Sequence, residues 1–110
     1  MTIFQKIIDR EIPADIVYED DDALAFRDVN PQAPVHVLVI PKRPIVKVAD
    51  MTATDKELIG HVMWVAREVA AQEKLEDFRL VVNNGAGAGQ TVFHLHVHVL
   101  GGRGLQWPPG

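Results

Sequence analysis

The chain has 110 residues, a net charge of −4 and 47% hydrophobic residues, enough for one core in a single domain, 1–110, with 101–110 as a C-terminal tail. It has no cysteine, which excludes disulfides and thiolate metal sites. No apolar run approaches the ~20 residues that span a bilayer, no signal-peptide layout opens the chain, and no basic block interleaved with aromatics marks a polynucleotide surface. The expectation is a soluble, cytoplasmic protein with neither membrane nor nucleic acid as partner. A small anion can still be held by backbone N–H groups and a few histidines.

Thr2-Ile3-Phe4-Gln5 has the form of a capping box, and Ile3, Phe4, Ile7 and Ile8 make an apolar stripe, so a short helix opens the chain and Pro13 ends it. Ile16–Glu19 and Ala23–Asp28 read as strands joined by the acidic turn Asp20-Asp21-Asp22. Asn30 to Pro34 is loop, because its prolines cannot sit inside a ladder. Val35–Ile40 is a β-branched strand stopped by Pro41. Thr54-Asp55-Lys56-Glu57 reads as a second capping box. The helix it opens runs to about Lys74, with Leu58, Ile59, Val62, Met63, Val65, Ala66, Val69 and Ala70 on one broad apolar face. Phe78–Val82 is a fourth strand, Asn83–Gln90 a glycine-rich loop, and Val92–Leu100 a fifth strand broken by Gly101-Gly102. This order predicts an α+β domain: a five-stranded, mostly antiparallel sheet with one long helix and a short N-terminal helix.

The fifth strand carries the most informative stretch, His94-Leu95-His96-Val97-His98-Val99-Leu100. Alternation on a strand puts the three histidines on one face and the aliphatic residues on the other. Three imidazoles in a row would repel one another if all were charged, so the row is poor structural design and good site design. The row admits three readings: a solvated face, a metal site built on His-X-His, or a histidine nucleophile for phosphoryl or nucleotidyl transfer, with a neighbouring imidazolium protonating the leaving group. Carboxylates that would complete a zinc site are absent from this segment. The loop Gly85-Ala86-Gly87-Ala88-Gly89-Gln90-Thr91 runs straight into the row. Its glycines permit positive φ and close approach of N–H groups to an anion, which favours the third reading. The chemistry needs no metal or other cofactor.

These residues match the His-φ-His-φ-His-φ-φ signature of the histidine triad superfamily, which the chain resembles over nearly its whole length. The match extends through Lys6-Ile7-Ile8, Glu11-Ile12-Pro13-Ala14, Ala25-Phe26 with Asp28, Pro31-Gln32-Ala33-Pro34, His36 with Val39-Ile40-Pro41-Lys42, Val82-Asn83, Gly89-Gln90, Gly101-Gly102-Arg103 and Trp107-Pro108-Pro109-Gly110. This set resembles the nucleotide-binding Hint branch more than the dinucleotide-cleaving Fhit branch or the uridylyltransferases.

The resemblance implies a purine nucleoside phosphoramidase, which cleaves the P–N bond of adenosine or guanosine 5′-phosphoramidates and aminoacyl-adenylate-like substrates. It implies that His96 attacks the α-phosphorus to form a nucleotidyl-histidine that water hydrolyses. His98 would contact the α-phosphate, and His36 and His94 would set the tautomer of the nucleophile. Asn83, the backbone of Gly89, and Thr91 would hold the phosphate and leaving group, with Gln90 in the same nucleotide-binding loop. Asp28 would accept the ribose hydroxyls, and Ile3, Phe4, Ile7, Ile12, Phe26 and Val29 would form the base slot. Each position also has a plainer reading: Asp28 as the end of a strand, His36 as a satisfied strand histidine, the apolar set as pure core. Thr91 stands where serine is the more usual residue, which bears on substrate preference.

The resemblance further implies a homodimer in which the tail, including Trp107, reaches the partner's active site. The tail's Gly101, Gly102 and Gly104 make it too flexible to pack alone. Trp64 falls opposite the apolar face of the long helix, beside Gly60 and Ala71, and reads as a contact surface. The competing function is a nucleotide-binding regulatory or scaffold protein with incidental hydrolysis.

Overall fold

The computed structural model describes residues 1–110. The elements are α1 (Ile3–Ile8), β1 (Ile16–Glu19), β2 (Ala23–Arg27), β3 (Val35–Pro41), α2 (Lys56–Gln72), β4 (Phe78–Val81) and β5 (Val97–Gly101), with short 3₁₀ turns at Val48–Asp50, Ala53–Asp55 and Ala86–Ala88. One five-stranded sheet has the order β1-β2-β3-β5-β4, and every neighbouring pair is antiparallel. The predicted α+β architecture is the one observed.

Strand alternation sorts the sheet into two faces. Ala23, Ala25, Val37, Val39, Val97 and Val99 point to one face and pack on Val62, Val65, Ala66, Val69 and Ala70 of α2. The alanines of β2 and α2 let the helix lie close to the sheet, and each buried valine contributes roughly 1.5–3 kcal/mol. Leu24, Phe26, Leu38 and Ile40 point to the other face, where Phe4 and Ile7 of α1 cover them. A six-residue helix cannot cover a whole sheet face, and the uncovered part is where β3 and β5 bring their histidines.

Several boundaries differ from the sequence expectation. α1 ends at Ile8, well before Pro13, because Arg10 takes a positive φ of 61° and the chain turns there. Thr2 caps it through Oγ1, which accepts from Gln5 N–H at 3.1 Å, but the Gln5 amide reaches forward to Asp9 instead of closing a box. The capping box ahead of α2 is Thr52 with Asp55, two residues earlier than expected: Thr52 N–H donates to Asp55 Oδ2 at 2.8 Å, and the same carboxylate pairs with Arg43. α2 stops at Gln72, with Lys74 in the left-handed region at φ 58°. Met63, placed on the apolar face by periodicity, is 43% exposed at the edge of that face.

The largest difference is in the fifth strand, which begins at Val97 and not at Val92. Before Val97 the backbone serves other partners than the ladder. Leu95 N–H donates to Ile45 O at 2.6 Å, and the His94 ring is tied to Pro41 O at 2.7 Å. His94 and His96 therefore precede the sheet, and only His98 lies in it.

Candidate active site

His98 sits opposite Leu38, and His36 opposite Leu100, in the β3–β5 ladder. The two histidines are thus diagonal neighbours on the α1 face, and His36 Nε2 lies 2.9 Å from His98 Nδ1. The protons in this pair can be assigned. Gln32 N–H donates to His36 Nδ1 at 3.0 Å, so that nitrogen is an acceptor and the proton of a neutral His36 is on Nε2. His36 Nε2–H then donates to His98 Nδ1, which leaves His98 with Nε2–H as a donor toward the cleft. His96 is assigned in the same way. Its Nδ1 lies 2.7 Å from His94 O, and a carbonyl only accepts, so Nδ1 carries the proton and Nε2 keeps its lone pair. The backbone carbonyl of His94 fixes the tautomer of His96. The rings of His36 and His94 do not, contrary to the sequence expectation: His36 serves His98, and the His94 ring anchors the segment to Pro41.

Burial disfavours the charged form of all four rings. It lowers His36 against the pull of Asp28, and His94 and His96 against their carbonyl bonds. His98 is pushed down to about 4 by burial, with the His96 and His36 rings adding to the effect. Phe4 packs edge-on against His96, with centroids 5.0 Å apart, and His96 against His98 at 4.9 Å.

Beside these rings lies a cleft of about 300 Å³. Its walls hold Ile3, Phe4, Ile7, Ile12, Phe26, Asp28, Val29, Thr91, His96 and His98, all among the sequence-predicted site residues, and also Pro13, Ala14, Arg27, Leu38 and Val92, which sequence reading left unassigned. Val29 is fully exposed and stands at the rim. Asp28 Oδ1 accepts Asn30 N–H at 2.9 Å in an Asx turn, and Oδ2 lies 3.5 Å from His36 Nε2. The carboxylate is therefore held at the cleft wall with lone pairs to spare.

The glycine loop departs from expectation. Gly85 and Gly89 have positive φ, at 93° and 96°; Gly87 does not. The loop spends its own donors: Gly89 N–H goes to Ala86 O, and Ala88 and Gln90 N–H both go to Gly85 O. Gly89 is thus not a free anion donor. Thr91, one residue past the loop's Gln90, lines the cleft. Gln90 is a correction as well. Its side chain is 2% exposed and fully committed, accepting from Gly85 N–H and donating to Val46 O and Val92 O. It shapes the loop and does not reach the cleft. Asn83 packs on Gly89, its amide 3.6 Å from where a Cβ would stand there, and neither residue lines the cleft.

Asp28, His36 and His98 bring ligand atoms within 4.8 Å of one another, close enough to suggest a metal ion. The proton assignment rules against it. A metal at His36 Nε2 requires the proton on Nδ1, where Gln32 N–H already points. The donor set does not fit an ion without breaking that bond. Asp20 and His61, in a second cluster on the far side of the molecule, are equally committed: Asp20 Oδ1 accepts from Asp22 and Ala23 N–H, and Oδ2 from Tyr18 and His61.

Comparison with known proteins places this geometry. The chain is 64% identical over 110 residues to an uncharacterized HIT-like protein of Synechocystis, covering 99% of this chain and 96% of that protein. It is 52% identical over 112 residues to a 14 kDa zinc-binding protein of Zea mays, covering 99% of this chain and 88% of that one. The structure of a HIT family hydrolase from Legionella pneumophila superposes with a TM-score of 0.97 at 46% identity over the whole of both chains. One from Clostridium thermocellum gives 0.93 at 43% identity, covering 96% of this chain and 93% of that one. The HIT domain model matches residues 9–105, which contain His36, His94, His96 and His98. The chain belongs to the HIT domain family and has the fold of its hydrolases.

Proposed function

We propose that this protein is a purine nucleoside phosphoramidase of the Hint branch, acting on 5′-phosphoramidates of adenosine or guanosine. The observation that carries this reading is the His96 Nδ1–H···O=C bond to His94 at 2.7 Å. It holds a neutral imidazole with the Nε2 lone pair free, and that is the form that attacks phosphorus. The apolar slot of Ile3, Phe4, Ile7, Ile12 and Phe26 suits a planar base, Asp28 suits two vicinal ribose hydroxyls, and His96 and His98 line the same cleft.

In this reading His96 Nε2 attacks the α-phosphorus, the P–N bond breaks, and the nitrogen leaves as an amine. Water then cleaves the Nε2–P bond, releasing the nucleoside monophosphate and the neutral ring. His98 donates Nε2–H to a phosphate oxygen as negative charge develops, an interaction worth ~3–4 kcal/mol by analogy with oxyanion holes. The sequence reading put an imidazolium beside the nucleophile. The relay argues for a neutral donor, because a second proton on His98 would displace the one His36 supplies. The leaving amine accordingly takes its proton from solvent. Thr91 keeps the hydroxyl at the phosphate with an added methyl. The test is turnover of a panel of adenosine and guanosine 5′-phosphoramidates with and without chelator. Release of the monophosphate, unchanged by chelator, is expected; no turnover on any member would overturn the reading.

A homodimer belongs to the same proposal. β4 is an edge strand, and beside it Val48, Met51, Ile59, Met63, Val82 and Leu95 line an apolar hollow of about 380 Å³. An edge strand next to an open apolar patch favours association. Trp64 is 54% exposed, and the space beside Gly60 is open.

A further inference from the structure

The tail that follows β5 is tied to the loop before β3, and the tie ends at the histidine pair. Arg103 Nε and Nη2 both donate to Gln32 O, at 3.1 and 2.9 Å. Gln32 N–H in turn donates to His36 Nδ1 at 3.0 Å. The loop has few other ties, the Asn30 N–H bond to Asp28 Oδ1 and the buried Ala33 among them. Pro31 and Pro34 have no N–H, and Gln32 is exposed, its side chain reaching only Asn30 O. Apart from the clamp, the Gln32 peptide groups make one hydrogen bond, from the N–H to His36 Nδ1.

Gly102 supplies a second, independent observation. Its φ is +91°, and a Cβ there would stand 2.9 Å from Pro34 Cβ. The chain therefore presses its backbone onto Pro34 and turns in a conformation that L side chains rarely adopt, which sends Arg103 back over Gln32. The Gly102 turn and the Arg103 fork are two parts of one clamp. A guanidinium is suited to it because it offers two parallel N–H groups to one acceptor; a lysine offers a point charge.

We infer that Arg103 is a positioning residue: through Gln32 it locks the His36–His98 relay in the tautomer that presents His98 Nε2–H to the cleft. If Gln32 N–H moves away, His36 is free to carry its proton on Nδ1. The pair then flips, His98 takes Nδ1–H, and its Nε2 turns from donor to acceptor. Two acceptors, His96 Nε2 and His98 Nε2, would face the same phosphate. His96 itself depends on His94 O and is outside the clamp.

The catalytic consequence rests on the phosphoramidase reading, but the lock is measurable without substrate. Long-range ¹H–¹⁵N correlation spectra give the tautomer of each ring. In wild type, His36 and His98 are expected as Nε2–H, and His96 as Nδ1–H. In Arg103→Gln, His36 and His98 should show averaged or Nδ1–H signatures while His96 is unchanged, with Arg103→Lys in between. Turnover should fall through kcat, by up to about 100-fold, with KM nearly constant. Unchanged His36 and His98 tautomers in Arg103→Gln would overturn the inference. So would equal disturbance of all the histidines in both variants, since that marks a merely structural role. Shifted tautomers in a protein whose wild type turns over no phosphoramidate would keep the lock and discard the functional reading.

Discussion

His96 and His94 are joined not ring to ring but ring to backbone, His96 Nδ1 lying 2.7 Å from His94 O. The geometry separates two jobs. The His94 ring pins the segment to β3 through Pro41 O, and its carbonyl orients the ring two residues on. Removing the His94 ring and removing the His96 ring should therefore have different effects.

His96→Ala and His96→Asn should lose phosphoramidate turnover by at least about 1000-fold, with nucleotide affinity and thermal stability close to wild type. Acid-quenched wild type should show a nucleotidyl adduct by mass spectrometry, absent from both variants. Near-normal turnover in His96→Ala would remove this residue from the nucleophile role.

Asp28 stands at the cleft wall with one oxygen in an Asx turn and the other beside His36. Asp28→Ala should weaken ribonucleoside monophosphate binding by about 1.5–3 kcal/mol and binding of 2′,3′-dideoxy analogues much less, as read by calorimetry. Equal losses would show that the carboxylate does not meet the ribose.

Gln90→Ala removes the acceptor of Gly85 N–H and the donor to Val46 O and Val92 O. It should cost about 1–3 kcal/mol of stability in denaturant titration. An effect on activity without one on stability would point to a direct ligand role.

Stability should fall with acidity in two separate steps. The folded value of His98, about 4, lies below the ordinary 6.5, so the unfolded chain takes up that proton first. Its contribution is complete above about pH 6.5 and is lost as pH falls toward about 4. His36, His94 and His96 are lowered by burial and act in the same direction. Asp20 follows lower down. Burial would raise it, but bonds from Asp22, His61, Tyr18 and Ala23 outweigh that and bring it to about 2 from 3.8. Its contribution goes in that lower interval. Melting curves from pH 7.5 to pH 3 should show Tm dropping first between 6.5 and 4, and a flat Tm there would contradict the buried, neutral histidine cluster.

Trp64→Glu should raise the dimer–monomer midpoint at least tenfold, equivalent to about 1.4 kcal/mol, as measured by sedimentation. A wild type that is monomeric at micromolar concentration would refute the dimer. A dimer that tolerates Trp64→Glu but not Met63→Glu would move the interface to the apolar hollow beside β4.

What the sequence made legible was governed by periodicity. Alternation in Ala23–Arg27 and Val35–Pro41, and the helical stripe of Val62, Val65, Ala66 and Val69, are set by burial, so the sheet and α2 could be read directly. The cleft residues Ile3, Phe4, Ile7, Ile12, Phe26 and Val29 came from the resemblance and not from periodicity. What could not be read depended on hydrogen bonds between distant residues. Periodicity extended the fifth strand back to Val92, because Leu95 alternates correctly; that its N–H goes to Ile45 O is a tertiary fact. Gln90 resembled a loop ligand because composition does not show which way an amide points. The tail looked loose because its glycines were counted without Arg103, whose partner Gln32 O lies 71 residues earlier in the chain. The one local hint was Pro31-Gln32-Ala33-Pro34, where two prolines leave only Gln32 and Ala33 able to donate.

The boundary at Val97 divides the site by how its residues are held. β5 is an inner strand with β3 and β4 on either side, so His98 is released only when the sheet itself opens. Residues 90–96 lie outside the ladder and are held by individual bonds, among them Leu95 N–H to Ile45 O, the His94 ring to Pro41 O and the Gln90 amide to Val46 O. His96 is thus placed by bonds that single side chains and loop groups make, and His98 by the ladder. In the phosphoramidase reading the attacking ring and the phosphate donor are therefore set by different means, and a substitution in residues 90–95 should shift one ring without the other.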